Sequence, residues 1–198
     1  MIRIVVLYHT GFGHTGALAE SVAAGARAEP DTQVSLMKAG EFDSRCGELD
    51  AADAIIMGSP TYMGSVSAEL KAVWEKTVDR YFEQAWVDKL AAGFTNSASQ
   101  SGDKLNTLMD MILFAAQHGM HWINLGLLSG NHASTGSAEE LNRVGGWIGA
   151  MAQSNSDQGV DLTPPESDHK TAWLLGRRVA RAARQWKAGG GILDDDAA

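Results

Sequence analysis

The residues His9-Thr10-Gly11-Phe12-Gly13-His14-Thr15-Gly16 hold the clearest chemistry in the chain. Its glycines leave backbone N–H groups open, Thr10 and Thr15 add hydroxyl donors, and an apolar pattern of helical spacing begins at His14. Free N–H groups at a helix start converge on one point, and the helix dipole favours negative charge there, so the loop suits a phosphate. Gly11, Gly13 and Gly16 also fit G-x-G-x-x-G directly after an apolar run, the setting of a dinucleotide fingerprint. That reading requires an acid closing the second strand to hold a ribose, and this chain has Met37-Lys38-Ala39 there. A dianionic terminal phosphate therefore suits the loop better than the middle of a pyrophosphate. A plain strand-to-helix turn would use the same glycines.

Two further stretches could meet a planar ligand. In Gly58-Ser59-Pro60-Thr61-Tyr62-Met63-Gly64-Ser65, glycines and a proline hold backbone N–H and C=O groups open to a polar ring edge, with Tyr62 and Met63 able to pack on the ring. The alternative is a turn into a helix capped by Ser67. Thr95-Asn96-Ser97-Ala98-Ser99-Gln100-Ser101-Gly102 is rich in small hydroxyl residues, which permit close approach and hydrogen bonding; Asp103 could instead cap the helix that follows. His118 stands near a helix C-terminus, a favourable place for a histidine on dipole grounds alone.

Other chemistries find no support. His9 with His14 and His118 with His121 are the close histidine pairs, and neither has the cysteines or acids of a metal spacing. No G-x-S-x-G elbow marks a serine hydrolase. Cys46 sits beside Arg45 in what reads as a polar loop, without an evident base.

The elements that must position these residues alternate. Ile2 to Tyr8 is a continuous β-branched run, as expected of a strand buried on both faces. A helix follows from His14 until Pro30, then strands at Gln33–Lys38 and Ala54–Gly58. Val66, Leu70, Val73, Trp74 and Thr77 recur at helical intervals and predict one helix over Ser67–Tyr81. Leu90–Thr95 reads as a fourth strand, Leu105 to Ala116 as a helix ending at Gly119, and His121–Leu127 as a fifth strand. After Pro164-Pro165, a last helix carries Trp173, Gly176, Val179, Ala180 and Ala183 on its inner side. Such alternation means an α/β fold with a parallel sheet, whose ligands sit beyond the carboxyl ends of the strands. Ser129 to Gly159 breaks the alternation. The expected organisation is a single domain over residues 1–188 and a flexible acidic tail over residues 189–198.

With 198 residues, 44% hydrophobic and 20% charged, the chain falls among ordinary globular domains. A net charge of −8 argues against nucleic acid or an anionic membrane as partner. One cysteine excludes an internal disulfide framework and fits a reducing cytoplasm. The apolar start is shorter than a signal segment, and no run approaches the ~20 residues that span a bilayer.

Four stretches in order, Leu7 to Thr15 (LYHTGFGHT), Gly58 to Ser67 (GSPTYMGSVS), Phe94 to Gly102 (FTNSASQSG) and Gln117 to Met120 (QHGM), carry a resemblance, with Trp147-Ile148-Gly149-Ala150 as a fifth. The chain resembles the flavodoxin-like FMN proteins and, within them, the NAD(P)H:quinone oxidoreductases first named as Trp-repressor-binding proteins, together with the NADPH-dependent FMN reductases. The resemblance implies a doubly wound α/β domain with five parallel strands in the order 2-1-3-4-5, the fifth interrupted near Ser129 to Arg143. It implies noncovalent FMN, with the phosphate at Thr10, Gly11, Phe12, Gly13, His14 and Thr15. The ring is expected between Pro60, Thr61, Tyr62, Met63 and Gly64 on one side and Thr95, Asn96, Ser97, Ala98, Ser99, Gln100 and Gly102 on the other. His118, with Tyr62 and Tyr81, is expected to line the substrate side and to donate to a quinone oxygen. Many relatives have arginine in place of Tyr62. The implied activity is hydride transfer from NADH or NADPH to FMN, then two-electron reduction of a quinone or free flavin, in a cytoplasmic homodimer or homotetramer. The alternative is a flavodoxin-type electron carrier that docks to protein partners through its acidic surface.

Overall fold

The computed structural model describes residues 1–190. The sheet is built from β1 (Ile2–Tyr8), β2 (Thr32–Lys38), β3 (Ala54–Pro60), β4 (Leu90–Ser97), β5 (His121–Trp122) and β6 (Ala150–Gln153). All pair in parallel in the order β2-β1-β3-β4-β5, and β6 also pairs with β4. This is the doubly wound flavodoxin-like order expected from the sequence. β1, β3 and β4 are buried almost throughout, which explains their unbroken apolar character.

Alternate side chains of these strands feed two cores. Ile4, Val6, Ile56 and Phe94 face α1 (His14–Arg27) and α6 (Glu166–Ala188). Val5, Leu7, Ile55 and Met57 face α2 (Phe42–Asp50), α3 (Ala68–Glu75) and α5 (Lys104–Gln117). Each such aliphatic side chain contributes roughly 1.5–3 kcal/mol on burial. The register aligns Tyr8 with Gly58, and Pro60 with Asn96, so the loops after β1, β3 and β4 leave the sheet at one edge.

Several sequence expectations need correction. The helix expected over Ser67–Tyr81 is two: α3 ends at Glu75, and a short α4 (Val78–Phe82) begins after Thr77. The Thr77 hydroxyl donates to the Trp74 carbonyl at 2.7 Å, where the Thr77 N–H also bonds, and this local competition interrupts the helix. Cys46 lies in α2, not in a loop; that helix buries only Phe42 and Leu49, too little pattern to reveal it. Of the strand expected over His121–Leu127, only His121 and Trp122 pair as β5, with the Ile123 N–H donating to Ala91 O as the last bond. Beyond it, Ile123, Leu125 and Leu127 pack on the α1/α6 core while residues 123–149 run outside the sheet, and β6 then takes up pairing with the last part of β4. Asp103 caps nothing with its side chain and stands in a left-handed conformation. The acidic tail falls largely on residues 191–198, outside the described residues.

Candidate functional site

The first loop is organised by one hydroxyl. Thr10 Oγ1 accepts from the N–H groups of Gly13 and Gly16, each at 3.1 Å. This folds the chain tightly into α1 through Gly13, whose φ of +96° favours glycine. The N–H groups of Phe12, His14 and Thr15 find no acceptor among the described residues. They are the free donors that a helix start leaves over. His14 Nε2 lies 2.9 Å from the Gln158 carbonyl, which ties the loop to the segment after β6.

The second loop reverses tightly. Tyr62 and Ser65 exchange both backbone hydrogen bonds across Met63 and Gly64, which have φ of +49° and +81°. Met63 stands fully exposed at the tip, and the Tyr62 hydroxyl closes back onto Gly11 of the first loop. Burial, followed by the nearby Glu69 carboxylate, raises the Tyr62 phenol above its ordinary pKa. The loop is anchored beneath by a threonine trio: Thr61 Oγ1 lies 2.8 Å from both Thr95 Oγ1 and Thr107 Oγ1.

The third loop turns its carbonyls inward. Ala98 O accepts from Gln153 Nε2, Ser99 O from Ser97 Oγ and Lys104 Nζ, Gln100 O from Lys104 Nζ, and Ser101 O from the Lys104 N–H. Lys104 is 1% exposed. Burial lowers its pKa to about 8, the nearby Asp168 carboxylate opposes that fall, and Arg143 adds to it. Arg143 and Asp168 form a buried pair at 2.8 Å, and Asp168 Oδ2 also accepts from the Gln153 N–H, so α6 holds the end of β6.

The three loops enclose a cavity of about 480 Å³, within the range of small-molecule sites. Gly11, Phe12, His14 and Thr15 line it from the first loop, Pro60, Thr61, Tyr62, Met63 and Gly64 from the second, and Asn96, Ser97, Ala98, Ser99 and Gly102 from the third. Thr10, Gly13, Thr95 and Gln100 do not line it. Thr10 and Gly13 shape the loop from behind. Thr95 is fully buried in the threonine trio, so its hydroxyl faces another side chain. Asp103, Ser154 and Ser156 also line the cavity and were missed. The apolar run before Ser154, read as a strand, would have placed both serines at a carboxyl end.

Tyr81 and His118 lie elsewhere. They line a second cavity, of about 510 Å³, with Trp74, Thr77 and Phe114 between α3, α4 and α5. It shares no lining residue with the first, and Tyr62 does not belong to it. The Tyr62–Ser65 turn contributes to both, because Ser65 is part of the second wall and donates to Asp110. A single chain therefore does not bring Tyr62, Tyr81 and His118 into one pocket.

The hydrogen bonds around His118 select one tautomer of its ring. Its Nε2 lies 3.0 Å from Thr77 Oγ1, whose one hydrogen already goes to Trp74 O. The hydroxyl must accept, so Nε2 carries the proton and Nδ1 keeps a lone pair. Nδ1 is buried without a partner among the described residues, as is the donor Trp74 Nε1. Trp86 and Phe114, each with a ring centroid 4.7 Å away, hold the imidazole, and burial lowers its pKa. Burial thus disfavours the charged ring, and the nitrogen left with a lone pair, Nδ1, is itself buried.

Comparison with known proteins agrees with this architecture. Residues 41–135 match the NADPH-dependent FMN reductase family. The chain is 39% identical to "Flavodoxin FldP" of Pseudomonas aeruginosa over 95% of its own length and all of that protein's. It is 32% identical to an "NAD(P)H dehydrogenase (quinone)" of Archaeoglobus fulgidus, covering 93% of this chain and 99% of the relative. Among solved structures, a "flavodoxin, WrbA-like protein" of Agrobacterium tumefaciens superposes with a TM-score of 0.72 at 39% identity, covering 93% of this chain and 99% of the other. With its sheet order and its loops at one edge, the chain belongs to the flavodoxin-like family of FMN-dependent NAD(P)H:quinone oxidoreductases.

Proposed function

We propose that this chain is an FMN-dependent reductase that takes a hydride from NADH or NADPH and passes two electrons to a quinone or free flavin. The observation that carries the reading is the donor set of the three-loop cavity. Unspent N–H groups of Phe12, His14 and Thr15 stand at the start of α1, next to the Thr15 side chain. These groups fit a terminal phosphate without any cation. The Tyr62 side and the Ser97–Gly102 loop form walls that fit a planar ring, and small residues let it approach the backbone closely. When bound, FMN supplies the hydride-accepting and electron-donating chemistry, and the protein supplies placement. Thr10 fixes the first loop, the threonine trio fixes the second, and Lys104 fixes the third.

Tyr81 and His118 enter through assembly. In a homodimer or homotetramer that set the His118 cavity of one copy over the three-loop cavity of another, the two would form a shared substrate pocket. There His118 and Tyr81 would line the substrate side of the ring, as the family resemblance implies. Quinone, rather than nucleic acid or membrane, is the partner this chemistry suits. Among the described residues no helix is long and apolar enough to cross a membrane. The reading places the chain in the cytoplasm, where its lone cysteine stays reduced.

Anaerobic stopped-flow mixing of the FMN-loaded protein with each nicotinamide, then with acceptors, tests the reading. Fast loss of the oxidised flavin band with NADH or NADPH, restored by a quinone, is expected. The 39% identity to a protein named flavodoxin favours a second reading, an electron carrier. No bleaching by either nicotinamide, with stable one-electron reduction, would assign the chain to that class.

A further inference from the structure

The N–H groups of Ala98, Ser99, Gln100, Ser101 and Gly102 have no acceptor among the described residues, although every carbonyl from Ser97 to Ser101 is engaged. Across a trans peptide the N–H points opposite to the preceding C=O. Fixing the carbonyls of Ser99 and Gln100 on the Lys104 ammonium, at 2.6 and 3.0 Å, therefore turns the Gln100 and Ser101 donors away from it. Ala98, Ser99 and Gly102 of this same loop line the three-loop cavity, and Lys104 lies behind them. Gly102 completes the turn with φ +55°, where an added Cβ would lie 2.3 Å from Ser97 Oγ.

A lysine is an expensive way to tie down a loop, because burying an ammonium costs far more than burying an amide or hydroxyl. Two carbonyls and the carboxylate of the Arg143–Asp168 pair are what compensate it. Arg143 and Asp168 are committed to each other, so Lys104 is the cation left to hold the loop carbonyls, and the Asp103 carboxylate lines the cavity on the same side. A fixed cation under a loop whose Ala98, Ser99 and Gly102 N–H groups are free at the cavity makes that part of the wall, though not the Asp103 carboxylate beside it, favour whichever ligand state is richer in electrons.

We propose that Lys104 is a positioning residue that holds the Ser97–Gly102 loop with its N–H groups outward and so biases the site toward reduced over oxidised FMN. The inference rests on the FMN reading above and adds to it which residue tunes the cofactor. A merely structural lysine would stabilise the fold and weaken both redox states equally when removed. The proposed role weakens them unequally.

The test compares wild type, Lys104→Met and Lys104→Arg. Oxidised-FMN affinity and the two-electron midpoint potential are measured on the loaded proteins, and amide hydrogen exchange of the 97–103 segment on the flavin-free ones. Lys104→Met should lose about tenfold more affinity for reduced than for oxidised FMN, which lowers the midpoint by about 30 mV. Exchange in the loop should accelerate at least about tenfold, and Lys104→Arg should restore most of both by keeping the cation. A folded Lys104→Met with the wild-type midpoint overturns the inference and leaves the FMN reading standing; so does an arginine variant no better than methionine. If wild type binds no FMN, both readings fall. If Lys104→Met does not fold, Lys104→Gln takes its place, and unchanged loop exchange in that variant overturns the positioning role by itself.

Discussion

The two cavities of this molecule are built from opposite materials. The three-loop cavity is walled largely by backbone: its free groups include N–H donors at Phe12, His14, Thr15, Ala98, Ser99 and Gly102, while Thr10 and Lys104 are spent on holding the loops. The His118 cavity is walled by side chains: Trp74 stacks on Phe114 at 4.5 Å, Lys71, Glu75, Asp110 and Gln117 join the lining, and the Trp74 indole N–H and His118 Nδ1 are buried without a partner among the described residues. A backbone wall reads charge and tolerates little change in φ. A side-chain wall reads shape and polarity, and it can change residue by residue. Within one chain the first therefore suits a fixed cofactor, and the second suits an exchanging substrate.

The sharpest way to break the comparison is at Gly13. Gly13→Val would force a branched residue to φ +96° and place its Cβ 2.8 Å from Val160 Cγ1. Losing two charge-assisted donors at about 1.5 kcal/mol each weakens FMN at least about 100-fold. Equilibrium dialysis measures this, and the His118 cavity should not respond. Thr15→Ala removes one side-chain donor and leaves the backbone alone. The expected cost is ~1.5–3 kcal/mol, roughly 10- to 100-fold in FMN dissociation constant by fluorescence titration. An effect as large as that of Gly13→Val would mean that side chains, not backbone, dominate the site.

These differences decided what could be read in advance. Backbone walls need glycine, proline and small hydroxyl residues at set places, so the first, second and third loops were visible as GFGHTG, GSPTYMG and TNSASQSG. The alternation of solid apolar strands with helical patterns likewise predicts the sheet and, with the family resemblance, its order. Side-chain direction was not visible. Thr95 looks like a ligand donor in sequence, yet β4 points it into the core, and only the pairing of β3 with β4 shows that Thr61 awaits it. Ser154 and Ser156 were hidden because β6 follows a long excursion and pairs with β4 from far along the chain. Lys104 reads as an ordinary first-turn lysine until the loop carbonyls around its ammonium are seen.

On the side-chain cavity the corresponding test is Thr77→Val, nearly isosteric with the hydroxyl removed. It strips the His118 Nε2 proton of its acceptor in a buried place. The expected loss is ~1–3 kcal/mol of stability by denaturant titration, with the FMN dissociation constant unchanged and the KM for nicotinamide or quinone altered several-fold. A shifted FMN affinity would show that the two cavities communicate within one chain.

The smallest effect comes from the charge state of His118 itself. Burial holds its folded pKa below the ordinary 6.5, so between those two values the unfolded chain binds a proton that the folded chain does not. Stability then rises with pH across that window and is lost as the pH falls below about 6.5, with a slope of at most ~1.4 kcal/mol per pH unit. His118→Phe keeps a ring beside Trp86 and Phe114 but cannot be protonated, so the acid-side slope should flatten by one proton while stability near pH 7.5 stays close to wild type. Urea melts of both proteins from pH 5 to pH 8 measure the difference. Parallel curves would mean that His118 reaches solvent and charges freely in the folded chain. In that case the ring could become a donor after all, and the contrast between a backbone wall and a side-chain wall would fail at its central residue.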